Sequence, residues 1–212
     1  MTGPIGAVNN GAEFLGEEGF SLHNQAVELI TSSAFSAVAR LQFYRMAYGR
    51  VKEQGEAPLA EYQRMAKDFF SDGKIQLDWP DQYTDASGAS LSLRMVRLLF
   101  NLLIVASAAL LKGGTISVGV AAVGEMGKEL TVTATGEALK WDSEIQQMLT
   151  GDLHIQKLTP KNVQLYLTRK LSEQLQTELT FSISDSSLRM RAIRKLHDAA
   201  MDELEMPKIS NS

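Results

Sequence analysis

The chain has 212 residues, 44% of them hydrophobic and 22% charged, the composition of a globular protein long enough to bury a substantial core. Lys and Arg number 21 against 25 Asp and Glu, a formal net charge of −4, which argues against wholesale binding of a phosphate backbone and so against a nucleic-acid partner. The absence of cysteine excludes disulfides, zinc–thiolate and iron–sulfur centres, and thiol nucleophiles.

Residues 1–50 read as an antiparallel helical hairpin. Ile5, Val8, Ala12 and Leu15 recur at helical spacing after Pro4. Gly16-Glu17-Glu18-Gly19 breaks the pattern, and Ser21 is a suitable N-cap for a second helix. In that helix Leu22, Ala26, Leu29, Ser33, Ala37, Leu41, Tyr44 and Tyr48 form a stripe that ends near Gly49. Ile30, Phe35, Val38, Phe43 and Met46 lie off the stripe. A helix apolar on more than one face needs more than one short partner, and a dimer of hairpins supplies a four-helix bundle. Residues 51–59 are charged, contain Gly55 and Pro58, and read as a linker.

Residues 60–212 have the texture of an α/β domain. Pro58 to Phe70 reads as a helix and Lys74 to Trp79 as a strand. Ser90 to Leu111 reads as a long buried helix stopped by Lys112-Gly113-Gly114. Strands are expected at Thr115 to Ala121 and Glu129 to Thr135, with a turn at Gly124 to Gly127. Trp141 to Leu149 and Pro160 to Gln176 read as helices. Glu178 to Ile183 and Leu188 to Ile193 suggest an antiparallel pair, and Arg194 to Glu205 a last helix. The most apolar run, Leu98 to Leu111, holds 14 residues, too few to span a bilayer. No leader pattern is visible in the first 20 residues, so a cytoplasmic protein without a membrane partner is expected. His23, His154 and His197 are far apart and lack HExxH or HxH spacing, so no metal site is expected.

The segment Arg94 to Val120, RMVRLLFNLLIVASAALLKGGTISVGV, resembles the N-box of histidine kinases and related ATPases. That resemblance implies their ATP-binding (Bergerat) fold for the second domain. It also implies that Asn101 opens the box, and that the residue binding nucleotide and magnesium belongs four positions later, at Val105. Glu129 to Leu139 is similar to the strand ending in Asp-x-Gly-x-Gly, with Ala134 replacing the adenine-binding Asp and Gly136 as the surviving glycine. Pro160 to Leu167 stands where a glycine-rich phosphate loop belongs and has no glycine. Loss of a buried acceptor, a metal ligand and a phosphate cradle together removes several kcal/mol of nucleotide affinity. The expectation is an ATPase-like α+β fold that does not use ATP.

Pro4-Ile5-Gly6-Ala7, RLQFYRMAYG (Arg40 to Gly49) and VQLYLTRKLSEQL (Val163 to Leu175) resemble the ChpT-type histidine phosphotransferases. This resemblance implies a homodimer that shuttles phosphoryl groups between the receiver domains of a hybrid histidine kinase and of response regulators. It implies no cofactor, because the receiver supplies Mg²⁺. The family's phosphoacceptor His-Asp precedes a Pro by five residues. Pro4 matches that Pro, so the His is expected two residues upstream of Met1, and no catalytic residue is assigned within the chain. Two readings follow: the sequence starts at an internal Met, or the protein is a non-catalytic dimeric scaffold that binds response regulators. An active ATP-binding kinase is disfavoured by Val105 and Ala134. His23, His154 and His197 lack the helical placement that a substitute nucleophile needs.

Thr2, Gln42, Arg45, Tyr48 and Arg50 are the expected receiver-docking residues, since the start of the first helix should lie against the end of the second. Arg94, Arg97, Arg189, Arg191, Arg194 and Lys195 form basic clusters read as a solvated face, or else as contacts to an acidic receiver.

Overall fold

The computed structural model describes residues 2–15, 20–49, 56–81, 91–123, 127–151 and 158–194. Among them are six helices and seven strands. Helices α1 (Thr2–Phe14) and α2 (Phe20–Tyr48) are followed by β1 (Glu56–Ala57), α3 (Leu59–Phe70), β2 (Ile75–Asp78) and β3 (Leu91–Ser92). Then come α4 (Leu93–Ala109), β4 (Gly114–Val123), β5 (Gly127–Thr135), α5 (Ser143–Thr150), α6 (Val163–Gln174), β6 (Thr177–Ile183) and β7 (Ser187–Arg194).

α1 and α2 form the expected hairpin. α2 begins at Phe20, so Ser21 lies inside its first turn rather than capping it. The expected stripe holds only in the first half of α2, where Ala26 and Ser33 are buried and Gly11 of α1 lies against Ala26 and Ile30. Further along, burial rotates to Ala39, Phe43, Met46 and Ala47. Phe43 stacks on Phe69 of α3 at 3.9 Å between ring centres and meets Phe100 of α4 at 4.7 Å. The physical reason is a change of partner: α2 serves α1 with one face and the α/β core with another.

Five strands form one sheet in the order β2-β4-β5-β7-β6. β2 and β4 are parallel, and the remaining neighbours are antiparallel. Alternation along β4, β5 and β7 points Ile116, Val118, Leu130, Val132, Ala134, Leu188, Met190 and Ala192 into the core. Against them packs α4, whose Leu98, Leu99, Phe100, Leu102 and Leu103 are fully buried. A helix apolar all round is a core helix, as its composition foretold.

α4 starts later than Ser90, because the Ser92 hydroxyl accepts from the Met95 N–H at 3.3 Å and caps it. It ends at Ala109, before Gly113 (φ +91°) and Gly114 (φ +145°). A Cβ at either glycine would collide with the carbonyl of Lys74 or Thr135, so this turn admits only glycine. Glu56–Ala57, inside the stretch read as linker, pairs with Leu91–Ser92; two-residue strands are too short to show alternation. α6 starts at Val163 rather than Pro160, since Asn162 Oδ1 accepts from the Thr159 N–H at 2.7 Å and holds the preceding turn. The turn at 124–126, the rest of the linker (51–55) and the helix expected from Lys195 onward lie outside the described residues.

Candidate functional site

Two places in the fold carry the predicted site residues. The first is the C-terminal end of α2. Gln42 and Arg45 line an open cleft of about 500 Å³ with Met46 and Gly49, facing Glu61, Arg64 and Asp68 of α3. The cleft is therefore lined by charges of both signs, between α2 and α3.

Tyr48 lies on another side of α2. Its hydroxyl donates to Gln164 Oε1 of α6 at 2.7 Å, and its ring stacks near-parallel on Tyr44 at 5.8 Å. Burial, and then the neighbouring Tyr44, push its pKa above the ordinary phenol value. The hairpin register leaves Thr2 short of this end. With Gly11 beside Ala26 and Ile30, Thr2 stands level with about Ala37, roughly 12 Å along the axis from Arg45. His23 lies in the first turn of α2, roughly 33 Å from Arg45 along the helix. Arg50, His154, His197 and Lys195 lie outside the described residues.

The basic residues do not form one solvated face. Arg97 donates from Nε to the Ala47 carbonyl at 3.1 Å and from a terminal nitrogen to the Tyr48 carbonyl at 3.5 Å. It thereby satisfies carbonyls that a helix end leaves open and complements the negative end of the α2 dipole. Arg191 makes a two-pronged pair with Glu129 at 2.7 and 2.9 Å, which holds that carboxyl below its ordinary pKa, chiefly through the Arg191 hydrogen bonds. Arg94 and Arg189 are exposed.

The second place is a cleft of about 520 Å³ between α4, α5 and the start of α6. Val105, Ala109, Ile145, Met148 and Leu165 give it an apolar floor, with Lys140, Trp141, Thr159 and Lys161 also lining it. Val105 therefore stands where the motif comparison expects a magnesium-binding side chain, and it offers only methyl groups. Ala134 is fully buried on β5 and has no acceptor to offer. Gly136 is tied into the sheet end, its N–H donating to the Ser186 carbonyl at 3.0 Å. In the turn before α6, Asn162 takes the Thr159 N–H onto its own side chain, and no glycine lets a phosphate approach the backbone closely.

Asn101, which the resemblance places at the opening of the box, is tied into the fold. It is fully buried, and its side-chain NH₂ donates to the carbonyls of Ala47 at 3.0 Å and Arg97 at 2.8 Å. Its oxygen accepts from Gln164 Nε2 at 3.0 Å. Asn101 thus joins α4 to α2 and α6 instead of lining the cleft. Gln164 was not singled out from the sequence, and its contacts reach residues 63 and 116 positions away, which no local pattern marks. Among the described residues no group of three or more His, Asp or Glu could hold a metal ion, and no helix is long and apolar enough to cross a membrane.

Residues 59–187 match the family model described as histidine phosphotransferase C-terminal domain. The protein phosphotransferase ChpT of Brucella abortus is 30% identical over 172 residues, covering 81% of this chain and 78% of that one. A solved bacterial phosphotransferase superposes with a TM-score of 0.70 at 28% identity, covering 89% of this chain and 87% of its own. The histidine kinase domain of a blue-light-activated kinase from Erythrobacter litoralis shares the fold, with a TM-score of 0.52 at 15% identity over 92% of this chain and 95% of its own. The α/β sandwich shares the fold of a kinase catalytic domain, while both the family model and the sequence relative are phosphotransferases: the chain belongs to the histidine phosphotransferase family.

Proposed function

We propose that this protein is a phosphorelay shuttle that accepts a phosphoryl group from one receiver domain and gives it to another. The observation that carries the reading is the pairing of a family match over residues 59–187 with Val105 in the cleft and Ala134 buried on β5, where the motif has polar side chains. A protein that takes its phosphoryl group from a receiver does not need to bind ATP. In the forward step an imidazole nitrogen attacks the phosphorus of an aspartyl phosphate. The acyl–phosphate P–O bond breaks and the receiver's carboxylate leaves, giving a phosphohistidine. The second receiver's Asp then reverses the process. Each receiver supplies Mg²⁺, and an Asp beside the imidazole favours its nucleophilic tautomer.

The nucleophile in this reading is the His expected two residues before Met1. With α1 continued by those residues, it stands level with about Arg40 on α2. Gln42 and Arg45 follow within a turn and a half and, with the α3 side of their cleft, form the docking surface. Two hairpins pair as a four-helix bundle, and the protein works in the cytoplasm.

The test uses the chain extended upstream to include the His-Asp pair. Incubated with a phosphorylated hybrid-kinase receiver, it acquires acid-labile, base-stable phosphate and passes it to a response-regulator receiver. Calorimetry with Mg-ATP shows no binding to either form. Receiver binding without transfer by the extended chain would establish the scaffold reading instead, and micromolar ATP affinity would restore the kinase reading.

A further inference from the structure

The α/β domain grips the end of α2 through a closed run of hydrogen bonds. The run starts and finishes on the same helical turn. Tyr48 donates to Gln164 Oε1 at 2.7 Å, Gln164 Nε2 donates to Asn101 Oδ1 at 3.0 Å, and Asn101 Nδ2 donates to the Ala47 carbonyl at 3.0 Å. Arg97 adds a charged donor to the same carbonyl at 3.1 Å and reaches the next one at 3.5 Å. Each amide has a single orientation in this run, because donors and acceptors alternate strictly. Beneath it, Phe43, Met46 and Ala47 belong to the same buried core as α3 and α4.

We propose that Asn101, Gln164 and Arg97 are positioning residues. They weld the hairpin to the α/β domain in one fixed orientation, so that the Gln42–Arg45 cleft is preformed. Asn101 is fully buried, so a swing of the two units apart would strand its amide and the Ala47 carbonyl without partners. A self-phosphorylating enzyme must bring a bound nucleotide to its own helix and withdraw it. A chain that takes its phosphoryl group from outside needs no such swing and can use the freed residues as a brace. The surface offered to a partner is then composite, with α2 on one wall and α3 on the other, held at a constant spacing. Pre-organisation of this kind lowers the ordering cost of docking. The inference concerns the orientation of two units and stands whether or not receivers are the partner.

The chain has no cysteine, so spin labels can be placed without removing anything. One goes on Ser32→Cys of α2, off the Val27–Val38–Leu41 side, and one on Ser182→Cys of β6, both exposed positions. The doubly labelled full chain is diluted with unlabelled protein to suppress distances between copies. Pulsed-dipolar spectroscopy then yields one narrow distance peak. In an Asn101→Leu, Gln164→Leu background the single peak is lost to a broad distribution, while circular dichroism shows that secondary structure is kept. Tyr48→Phe and Gln164→Ala, which alter only partly exposed side chains, broaden it to a lesser degree and serve if the double variant does not fold. A broad distribution in the otherwise unaltered chain overturns the proposal. So does a peak that stays narrow in every folded variant while the thermal midpoint falls, since a merely stabilising contact behaves that way.

Discussion

Glu129 sits on β5 with its carboxylate held by the Arg191 guanidinium across the sheet and by the Thr131 hydroxyl at 3.1 Å. Those bonds favour the charged form, so the folded pKa lies below the ordinary 4.5. The group therefore adds stability above its unfolded value, and that stability disappears as pH falls through the lower folded value. Glu129→Gln is expected to be less stable than the unaltered chain at pH 7. The difference closes as pH drops below 4.5. Thermal melts of both proteins across pH 3–7 check this, and a gap that widens toward acid contradicts it. The same scale shows what residue identity can and cannot reveal. Val105 and Ala134 stand out in the sequence because a motif of fixed order says which side chain should stand there, so a methyl group in place of a ligand is what the reading rests on. Asn101 carries the opening position of the same motif, and its structural contacts are of another kind. Its amide faces Ala47 and Gln164, partners 54 and 63 residues away, and spacing within α4 contains no trace of them.

At the scale of elements, the decisive feature is the rotation of burial along α2. Its helical period was plain, and so were its bounds near Gly49. Which apolar residues face inward was not, because periodicity reports a face and this helix has two partners. Phe43 looked like surplus off the stripe, yet it is fully buried between Phe69 and Phe100. Phe43→Ala is expected to cost about 3–5 kcal/mol in urea unfolding, a core penalty from a residue of the hairpin. Phe35→Ala, on the exposed side of the same helix, should change monomer stability by less than about 0.5 kcal/mol. If the two substitutions prove equal, α2 is not anchored in the α/β core. The strands were legible where alternation ran for seven or more residues, as in β4, β5 and β7. β1 and β3, at two residues each, had no room for a pattern.

For the whole molecule, the unresolved balance is apolar surface. Phe35 is 51% exposed, Val38 50%, Leu41 50% and Ile5 58%. Val27, Val38, Leu41 and Arg45 fall on one side of α2, the last three on successive turns, away from the side that Phe43 and Ala47 bury. An exposed, mostly apolar side with charge only at its end is the surface that the proposed bundle would use as its seam. In the proposed dimer a second hairpin laid against it would complete four helices, with the Gln42–Arg45 cleft at the edge of the seam. Charging the seam should therefore separate the copies without unfolding either. Phe35→Glu with Val38→Asp is expected to halve the mass seen by light scattering, with the Phe43-centred core intact by urea unfolding. The unaltered chain should run as a dimer under the same conditions. A monomeric unaltered chain, or a charged variant that still dimerises, would mean that the stripe serves another purpose and that the bundle is not how this protein assembles.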